Sequence, residues 1–598
     1  MVSSWRLLVT LTALSSTSLA LTLPNSLASR GRNEFYTMEE KKWWKESVVY
    51  QVYPRSFQDS NGDGIGDLNG ITSRLDYIKD LGANLVWICP MYKSPWSDYG
   101  YDIADYYTVA DVFGTNEDLY NLIKEAKSKD IGVLLDLVIN HTSDEHEWFQ
   151  KALKDPESKY RDYYFFERGI DGKPPNNWRS YFGGSAWEPV PNEDNMFYLH
   201  AFTNKMPDLN WENAELKKEL YTMINWWIGK GIAGFRIDAI MNIKKTMVRG
   251  TIPSDGDDGL VAIADYIINQ PGIKNLLRDL KQNTFANHDI MTIAEAAVPD
   301  DELDDFIGPD GFFDMSFDFR AADIDIPASG DWYYPTNWTV NELRDILLNV
   351  QTSVQKAGWG ATYFENHDQN RSINKYLARR REDISDTTKK LLGTILLGFR
   401  GTPVVFEGQE IGMENIQLDS INQYEDVATH NQYNAGIKLG IDRQKVFDMV
   451  SYRSRDNSRT PMQWDTSADA GFTTGKPWFP VNPNYKTINV AEAVENKKSV
   501  YHHYRDVIAL RNGTEYKEVL VYGKTVQKFK EVDNVIAYER ALEDRSILFF
   551  ANFQNKTISL DKSGFNGRVL SNNYDDVVFK GGEVSVLPYQ AFVIETKA

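Results

Sequence analysis

Between about residue 44 and residue 512, short apolar runs alternate with longer segments of helical spacing. The apolar runs are rich in β-branched and aromatic residues, which is typical of buried strands. Segments such as Leu216–Ile228 separate them and repeat their apolar positions with helical period. This alternation predicts a β/α architecture. The eight predicted strands are Val48–Tyr53, Asn84–Ile88, Gly132–Val138, Gly234–Ile237, Met291–Ala294, Phe312–Phe317, Thr362–Phe364 and Pro403–Phe406.

Four of these apolar runs end in an acid, a histidine or both: Asp136–His141, Gly234–Asp238, Thr292–Glu295 and Phe364–Asp368. A carboxylate at the end of a buried strand is costly unless that end opens into a polar site. Eight parallel strands close a barrel, and its active site forms at their carboxyl ends. The sequence therefore predicts an α/β fold, a (β/α)8 TIM barrel, with Asp238, Glu295 and Asp368 in one site. Acids in such a set are what glycosidic bond cleavage requires.

Two long intervals and the C-terminal end depart from this pattern. About 95 residues separate the third and fourth strands, too many for a simple connection, which predicts a small inserted subdomain at residues 140–210 of a barrel spanning 43–512. After the eighth strand, Ile416–Tyr485 is either a lid or a disordered loop, and its Arg, Asp and Trp content favours an ordered lid. Alternating strands with Asn and Gly turns predict an antiparallel β-sandwich at 513–598.

Composition excludes several classes of function. A formal charge of -20 argues against a nucleic-acid partner, whose phosphates require a basic surface. The single cysteine, Cys89, lies in a predicted strand and rules out a disulfide framework within the chain. Aromatic residues make up 13% of the chain, enough to fill the core and also to stack on sugar rings in a cleft.

The N-terminal segment has the pattern of a secretory signal peptide. Arg6 precedes a short apolar stretch, and small residues that resemble cleavage sites follow at Ser18–Ala20 and Ser26–Ala28. We expect a signal peptide at residues 1–28 and a secreted protein, with an uncleaved anchor as the alternative. Because no later segment has 18 uninterrupted apolar residues, we expect no membrane span in the mature chain, which we predict to be a monomer.

A loop after the first strand places oxygen-bearing residues at alternate positions, with glycines between them. This is how a calcium loop begins, although the twelfth position, Gly70, excludes an EF-hand. We expect a structural Ca²⁺, with Mg²⁺ as an alternative occupant and a metal-free turn as the alternative structure. The predicted ligands are Asp59, Asn61, Asp63, Ile65 and Asp67.

The strand-end motifs resemble the signature segments of glycoside hydrolase family 13, the α-amylase family. Further segments agree with this resemblance, which covers roughly residues 43 to 598. They are Tyr99–Asp102, Met206–Asn210, Gly401–Met413 and Arg455–Trp464. The members that the chain resembles most are oligo-1,6-glucosidases and other α-glucosidases, together with sucrose isomerases.

The resemblance implies a role for each matching residue. Asp238 corresponds to the nucleophile, Glu295 to the acid/base catalyst and Asp368 to the third acid, which binds sugar hydroxyls. Arg236 lies two residues before Asp238, so both point to one face of the strand, where a cation would keep Asp238 ionised. Glu295 must instead hold a proton, which requires a less polar setting or a nearby negative charge.

Five further residues resemble substrate-binding residues of the family. His141 and His367 correspond to histidines that hydrogen-bond the glucose, and Tyr101 to the residue that stacks on it. A zinc site is the alternative for the histidines, but the chain has no pair spaced as H-x-x-x-H. Asp102 and Arg455 correspond to the pair that closes the pocket at the non-reducing end, which would make the enzyme exo-acting.

The resemblance implies a retaining exo-α-glucosidase that releases α-glucose from short oligosaccharides. Terminal α-1,6 bonds are the expected substrate. Cleavage of α-1,4 bonds is the open alternative, because Ala239 follows the nucleophile where relatives carry Val or Thr. The alternative is a sucrose isomerase or glucosyl-transferring enzyme, although Phe317–Asp323 lacks the charge pattern of the isomerases. A non-catalytic receptor or transporter subunit is disfavoured, because all three acids are present.

Overall fold

The computed structural model describes residues 40–597 except 257, 328 and 378–382. The predicted signal peptide, residues 1–28, lies outside the described residues. Within the described ranges, no helix has the length and apolar character that a membrane crossing needs.

Eight parallel strands form the centre of the molecule. Their residues are almost all buried, because helices cover the outer face and side chains fill the interior. The strands are β1 Val49–Val52, β2 Leu85–Ile88, β3 Gly132–Val138, β4 Gly234–Asp238, β5 Met291–Ala294, β6 Met315–Ser316, β7 Ala361–Thr362 and β8 Thr402–Phe406.

The strand order is β6-β5-β4-β3-β2-β1-β8-β7. A parallel bridge between Ser316 and Gly360 joins the two edges of this sheet and confirms the predicted barrel. At Gly234 in β4, φ is 153° and an added Cβ would lie 1.9 Å from the carbonyl oxygen of Met291. Only glycine therefore allows β4 and β5 to approach closely enough to pair.

The strands β6 and β7 are shorter than the sequence predicts. Of the predicted strand Phe312–Phe317, only the two residues of β6 are in a strand. The predicted strand Thr362–Phe364 begins where β7 ends. The seam between them consists of the Ser316–Gly360 bridge. Local propensity could not show this weak pairing, because it depends on the partner strand.

Helices surround the barrel and connect its strands. The helix Ala214–Ile228, which precedes β4, is capped by Asn213. The Asn213 side chain accepts hydrogen bonds from the backbone N–H groups of Glu215 and Leu216. The longer helices around the barrel are Asn116–Ser128, Ala214–Ile228, Ile273–Asn283, Val340–Ala357, Asp386–Gly398 and Val500–Asn512. Shorter ones are Pro54–Phe57, Leu68–Ser73, Leu75–Leu81, Glu147–Lys154, Ala264–Ile267, Leu303–Ile307, Ser372–Leu377, Val490–Glu495 and Lys517–Tyr522.

Two excursions stand over the carboxyl ends of the strands. The segment after β3 contains a three-stranded antiparallel sheet of Phe166–Arg168, Trp187–Pro189 and Met196–Leu199. The segment after β8 contains the helices Val427–Lys438 and Arg443–Arg453 and is ordered. Asn431 of the second excursion donates a 2.6 Å hydrogen bond to the carbonyl oxygen of Phe182 in the first. The two excursions thus meet above the barrel.

The C-terminal part contains antiparallel strands in two sheets. The five-stranded sheet consists of Lys524–Lys528, Val535–Leu542, Arg545–Asn552, Ala591–Lys597 and Gly567–Asn572. The three-stranded sheet consists of Ile558–Asp561, Glu583–Val586 and Val578–Lys580. Phe549 and Tyr538 of the larger sheet pack on the helix Asp386–Gly398 of the barrel.

Candidate active site

Three carboxylates meet at the carboxyl ends of the strands. Asp238 is the last residue of β4, Glu295 follows β5, and Asp368 lies in the loop after β7. Their side chains are 5%, 4% and 8% exposed. Arg236 contacts both Asp238 and Glu295, and the charge of Asp368 raises the pKa of both. The structure thus brings the predicted trio together.

Arg236 organises this cluster. Its Nη1 donates to Asp238 Oδ1 at 2.7 Å and to Asp136 Oδ1 at 2.8 Å, and its Nη2 lies 2.8 Å from Glu295 Oε2. Arg236 and Asp238 share one face of β4, as their spacing predicts. Because a guanidinium carries several N–H groups in a fixed plane, one side chain holds three carboxyl groups in place.

Burial and charge separate the two central acids. Burial raises the pKa of Asp238 to about 6 even though Arg236 opposes the rise. Burial, together with the negative charges of Asp238 and Asp368, raises the pKa of Glu295 to about 8, against the effect of Arg236. At neutral pH one carboxyl group is therefore ionised and the other protonated. Such a pair can supply a nucleophile and a proton donor.

The position of the Glu295 proton follows from its hydrogen bonds. Oε2 accepts from the backbone N–H of Ala239 at 2.9 Å and faces Arg236, so both of its neighbours are donors. The proton therefore belongs on Oε1. Ala239 has φ of 42°, in the left-handed region that residues with a side chain seldom adopt, and this turn directs its N–H at Glu295.

Asp136 also belongs to the site, although it is not among the residues predicted from the sequence. In addition to Arg236, its carboxylate accepts from the Trp87 indole and the Tyr101 hydroxyl, each at 3.1 Å. Burial raises its pKa to about 6, against Arg236. The signal in the sequence was an acid in the middle of an apolar strand, which is costly without partners.

Tyr101 and His367 form one wall of the site. Their rings are stacked with centroids 5.3 Å apart, and the tyrosine hydroxyl lies 2.5 Å from Nε2 of the histidine. The other ring nitrogen, Nδ1, lies 2.9 Å from Nε2 of Gln51. Because Gln51 presents an N–H group there, Nδ1 must accept. Burial lowers the pKa of His367 to about 3, so its imidazole is neutral.

His141 is also buried and neutral. Its Nδ1 lies 3.2 Å from Nδ2 of Asn140, and its Nε2 lies 3.1 Å from the carbonyl oxygen of Tyr101. Burial lowers its pKa to about 4. Both ring nitrogens have protein partners, so His141 fixes the backbone of the tyrosine wall. A contact with glucose, which the sequence analysis predicts, would share one of these bonds.

Arg455 reaches the site from the segment after β8. Its guanidinium pairs with Asp98 at 3.0 Å, with Asp426 at 2.8 Å and with Asp368 at 3.3 Å. Arg459 adds a second cation 3.0 Å from Asp368. Burial by itself raises the pKa of Asp368, but His367 and the two guanidiniums hold it well below its usual range.

The predicted pairing of Asp102 with Arg455 is wrong, since Asp98 makes that contact. The Asp102 carboxylate accepts from the Ser94 hydroxyl and from the backbone N–H groups of Ser97 and Asp98. It therefore shapes the loop that carries Asp98. Five residues of an irregular loop contain both aspartates, and spacing alone does not show which one faces the pocket.

Comparison with known proteins agrees with this geometry. The family model for the alpha amylase catalytic domain matches residues 51–523. An oligo-1,6-glucosidase of Bacillus cereus is 40% identical over 565 residues, which are 93% of this chain and the whole of the relative. The chain belongs to the α-amylase family, glycoside hydrolase family 13.

Solved structures of the family have the same fold. The trehalose-6-phosphate hydrolase of Bacillus licheniformis superposes with a TM-score of 0.85 at 36% identity, over 93% of this chain and all of that one. An isomaltulose synthase from Klebsiella gives 0.88 at 34% identity, again over 93% of this chain and all of that one. These comparisons confirm the predicted family, its barrel and its membership among glycoside hydrolases.

In this glycoside hydrolase, the predicted metal loop is held by its own hydrogen bonds. The Asp59 carboxylate accepts from the backbone N–H groups of Asn61, Gly62 and Gly64 and from the Thr473 hydroxyl. An ion bound to Asp59 would have to share or displace one of these donors. In residues 40–597, outside the gaps named above, no three His, Cys, Asp or Glu side chains cluster to hold a metal. Calcium binding therefore stays a prediction.

Proposed function

We propose that this family member is a retaining exo-α-glucosidase. The guanidinium of Arg236, which lies 2.7 Å from Asp238 Oδ1 and 2.8 Å from Glu295 Oε2, carries the proposal. Carboxyl groups held by the two terminal nitrogens of one guanidinium lie close together, as a retaining double displacement requires, whereas an inverting enzyme keeps its two carboxyl groups farther apart to admit a water molecule. The ionised Asp238 and protonated Glu295 are the forms that this reaction uses.

The reaction then follows from the charges. Asp238 attacks the anomeric carbon of the terminal glucose, while Glu295 gives its proton to the departing glycosidic oxygen. Glu295, now ionised, takes a proton from a water molecule that displaces Asp238 from the glucosyl-enzyme. Two inversions return the α-anomer of glucose. Asp238 and Glu295 end in their starting protonation states.

The exo specificity rests on the contacts of Arg455. Asp98 comes from the loop after β2, Asp368 from the loop after β7, and Asp426 from the segment after β8. Arg455 is therefore anchored from three directions, and its side chain is only 4% exposed. A charge network this rigid closes the pocket beyond one glucose and leaves the opposite side open to the leaving sugar.

The preferred bond is α-1,6, with α-1,4 as a second substrate. The proposal is supported by the relatives named oligo-1,6-glucosidase and by a glucan 1,6-alpha-glucosidase of Streptococcus pneumoniae, 38% identical over 560 residues. Ala239, beside the nucleophile, carries only a methyl group and leaves room for either linkage. The substrate class is short oligosaccharides.

A sucrose-isomerising activity is the second candidate, because isomaltulose synthases share the fold. In this protein, Nη2 of Arg320 donates hydrogen bonds to Asp318 Oδ2 at 2.7 Å and to Asp300 Oδ1 at 3.0 Å. This arginine is thus paired with one acid of its own loop and one of the segment after β5. The segment Phe317–Asp323 lacks the charge pattern of the isomerases, so hydrolysis is favoured.

Separate incubations with isomaltose, maltose and sucrose test the proposal. Glucose from isomaltose, formed first as the α-anomer by NMR and absent in Asp238→Asn, is the expected result. Isomaltulose or trehalulose from sucrose would support the isomerase instead. If the wild-type protein turns over none of the three, the oligosaccharide proposal fails.

We also propose that the protein is secreted as a monomer. The N-terminal pattern supports secretion, and expression in a secreting host with N-terminal sequencing of the product tests it. Light scattering of the purified protein tests the monomer. Intracellular retention or a dimer mass would contradict the respective proposal.

A further inference from the structure

A lysine outside the catalytic cluster is completely buried beside it. The Lys245 side chain has no exposed surface, and neither has that of its ion-pair partner Asp208, 2.8 Å away. Its Nζ also donates to Asn140 Oδ1 at 2.8 Å and to the backbone carbonyl of Asn242 at 2.6 Å. The ammonium therefore has an ion pair and two hydrogen bonds, which offset the cost of burying its charge.

These partners come from three parts of the fold. Asp208 lies where the excursion after β3 returns to the barrel, and it bridges to His141 in an antiparallel pairing. Asn140 follows β3, and Asn242 follows β4. Lys245 thus joins the excursion to the ends of two neighbouring barrel strands. Through Asn140 it is also connected to His141.

The contact with Asn140 has a chemical consequence. An ammonium can only donate, so the oxygen of the Asn140 amide must face Lys245 and the NH₂ group must face away. That NH₂ group lies 3.2 Å from Nδ1 of His141, which must therefore accept. The His141 proton is consequently on Nε2, which donates to the carbonyl oxygen of Tyr101.

We propose that Lys245 is a positioning residue of the glucose pocket. By orienting the Asn140 amide it fixes the tautomer and orientation of His141, and through His141 it holds the backbone of Tyr101, whose hydroxyl contacts His367 and Asp136. The ion pair with Asp208 makes the excursion after β3 part of this arrangement. The inference rests on the glucosidase activity proposed above.

Asn140→Asp is the sharpest test, because it is nearly isosteric and keeps an acceptor for Lys245. An aspartate cannot donate to Nδ1, so the His141 proton moves to Nδ1. The unprotonated Nε2 then faces the carbonyl oxygen of Tyr101, and two acceptors repel each other. We expect kcat/KM on 4-nitrophenyl α-glucoside to fall about tenfold or more, since small displacements in a site have effects of that size. The melting temperature should stay close to that of the wild type.

The pH dependence distinguishes positioning from general structural damage. As pH falls, the new carboxylate favours a doubly protonated His141, which donates from both nitrogens and restores the bond to Tyr101. The deficit of Asn140→Asp relative to the wild type should therefore shrink towards low pH. A folded variant with wild-type kinetics, or with a deficit that does not change with pH, would overturn the proposal.

A second comparison isolates Lys245 without leaving a buried carboxylate unpaired. Asp208→Asn serves as the reference, and Lys245→Met is added to it. We expect the added change to lower kcat/KM about tenfold, and Asn140→Asp on top of it to add little, because the two act through the same bond. Full additivity, or no effect of Lys245→Met, would contradict the proposal.

The matched control is Lys217→Met. Lys217 pairs with Asp279 at 2.6 Å on the helix Ala214–Ile228, on the outside of the barrel. The Lys217→Met substitution should leave kcat and KM unchanged. Turnover by the wild-type protein is measured first, so that failure of the glucosidase proposal and failure of the Lys245 proposal give different results. If the Lys245 variants do not fold, Asn140→Asp and its pH profile decide alone.

Discussion

Replacing Asp136 with asparagine should shift the pH profile of catalysis without removing a catalytic group. Asp136 and Asp238 accept hydrogen bonds from the same Nη1 of Arg236, at 2.8 and 2.7 Å, so the two accepting oxygens are at most about 5.5 Å apart, the sum of those distances. The negative charge of Asp136 raises the pKa of Asp238. Asparagine has the same shape but no charge.

Coulomb's law sets the size of the shift. Two unit charges about 5.5 Å apart repel by about 3 kcal/mol at an effective dielectric constant of about 20 and by about 0.8 kcal/mol in bulk water. These energies correspond to about 2 and about 0.5 pH units. Since Asp238 must be ionised to attack, the rising limb of kcat/KM should move from near pH 6 to lower pH by an amount in this range.

The assay is kcat/KM on 4-nitrophenyl α-glucoside between pH 4 and pH 9 at constant ionic strength. Asp80→Asn, at an exposed carboxylate that contacts Tyr501 and Arg505, is the control and should leave the profile in place. A rising limb that stays where it was, or moves to higher pH, would refute the claim that Asp136 acts on Asp238 through charge.

Four further predictions concern other parts of the molecule. Glu295→Gln should lower kcat by about 10²- to 10⁴-fold and abolish the falling limb near pH 8, because that limb reports loss of the Glu295 proton; a limb that persists assigns it elsewhere. Asp98→Ala should lower kcat/KM and the preference for chain ends, whereas Asp102→Ala should mainly lower the melting temperature; product chromatography and calorimetry separate the two. Burial raises the pKa of Glu410 to about 7 from 4.5, so the folded chain binds a proton that the unfolded chain has lost, and stability falls as pH rises through this interval. Glu410→Gln should weaken that fall, and urea midpoints at pH 5 and pH 7.5 measure it. Millimolar Ca²⁺ should raise the melting temperature by a few degrees over a chelator if the loop at Asp59 binds it, and no change would exclude tight binding.

The sequence was most informative where an apolar strand pattern ends in a charged residue whose burial costs free energy. Asp238 and Glu295 stand at the ends of buried, largely apolar strands, and a carboxylate in that place has few explanations besides a site. The parallel barrel followed from the same runs, because strands that alternate with helices form a parallel sheet and eight of them close a barrel. Both inferences use only neighbours along the chain.

The pairings that failed depend on neighbours in space. Asp98 and Asp102 lie in a loop where Trp96 and Tyr99 have positive φ, so side-chain direction has no fixed period there. Arg455 is about 350 residues away from Asp98 along the chain, and only the fold decides which aspartate it meets. Asp426 escaped notice for the same reason. No local pattern marks Lys245 as buried, because the groups that surround it come from distant parts of the chain.

Electrostatics shows most clearly what the sequence could not supply. From the spacing of Arg236 and Asp238 one expects the cation to keep the acid ionised, and the contact does form at 2.7 Å. Yet the pKa of Asp238 rises to about 6, because water is excluded and Asp136 shares the same guanidinium. The same exclusion of water raises the pKa of Glu295 to about 8. The division of labour between the two acids thus comes from burial, a property of the assembled barrel, more than from any residue beside them in the chain.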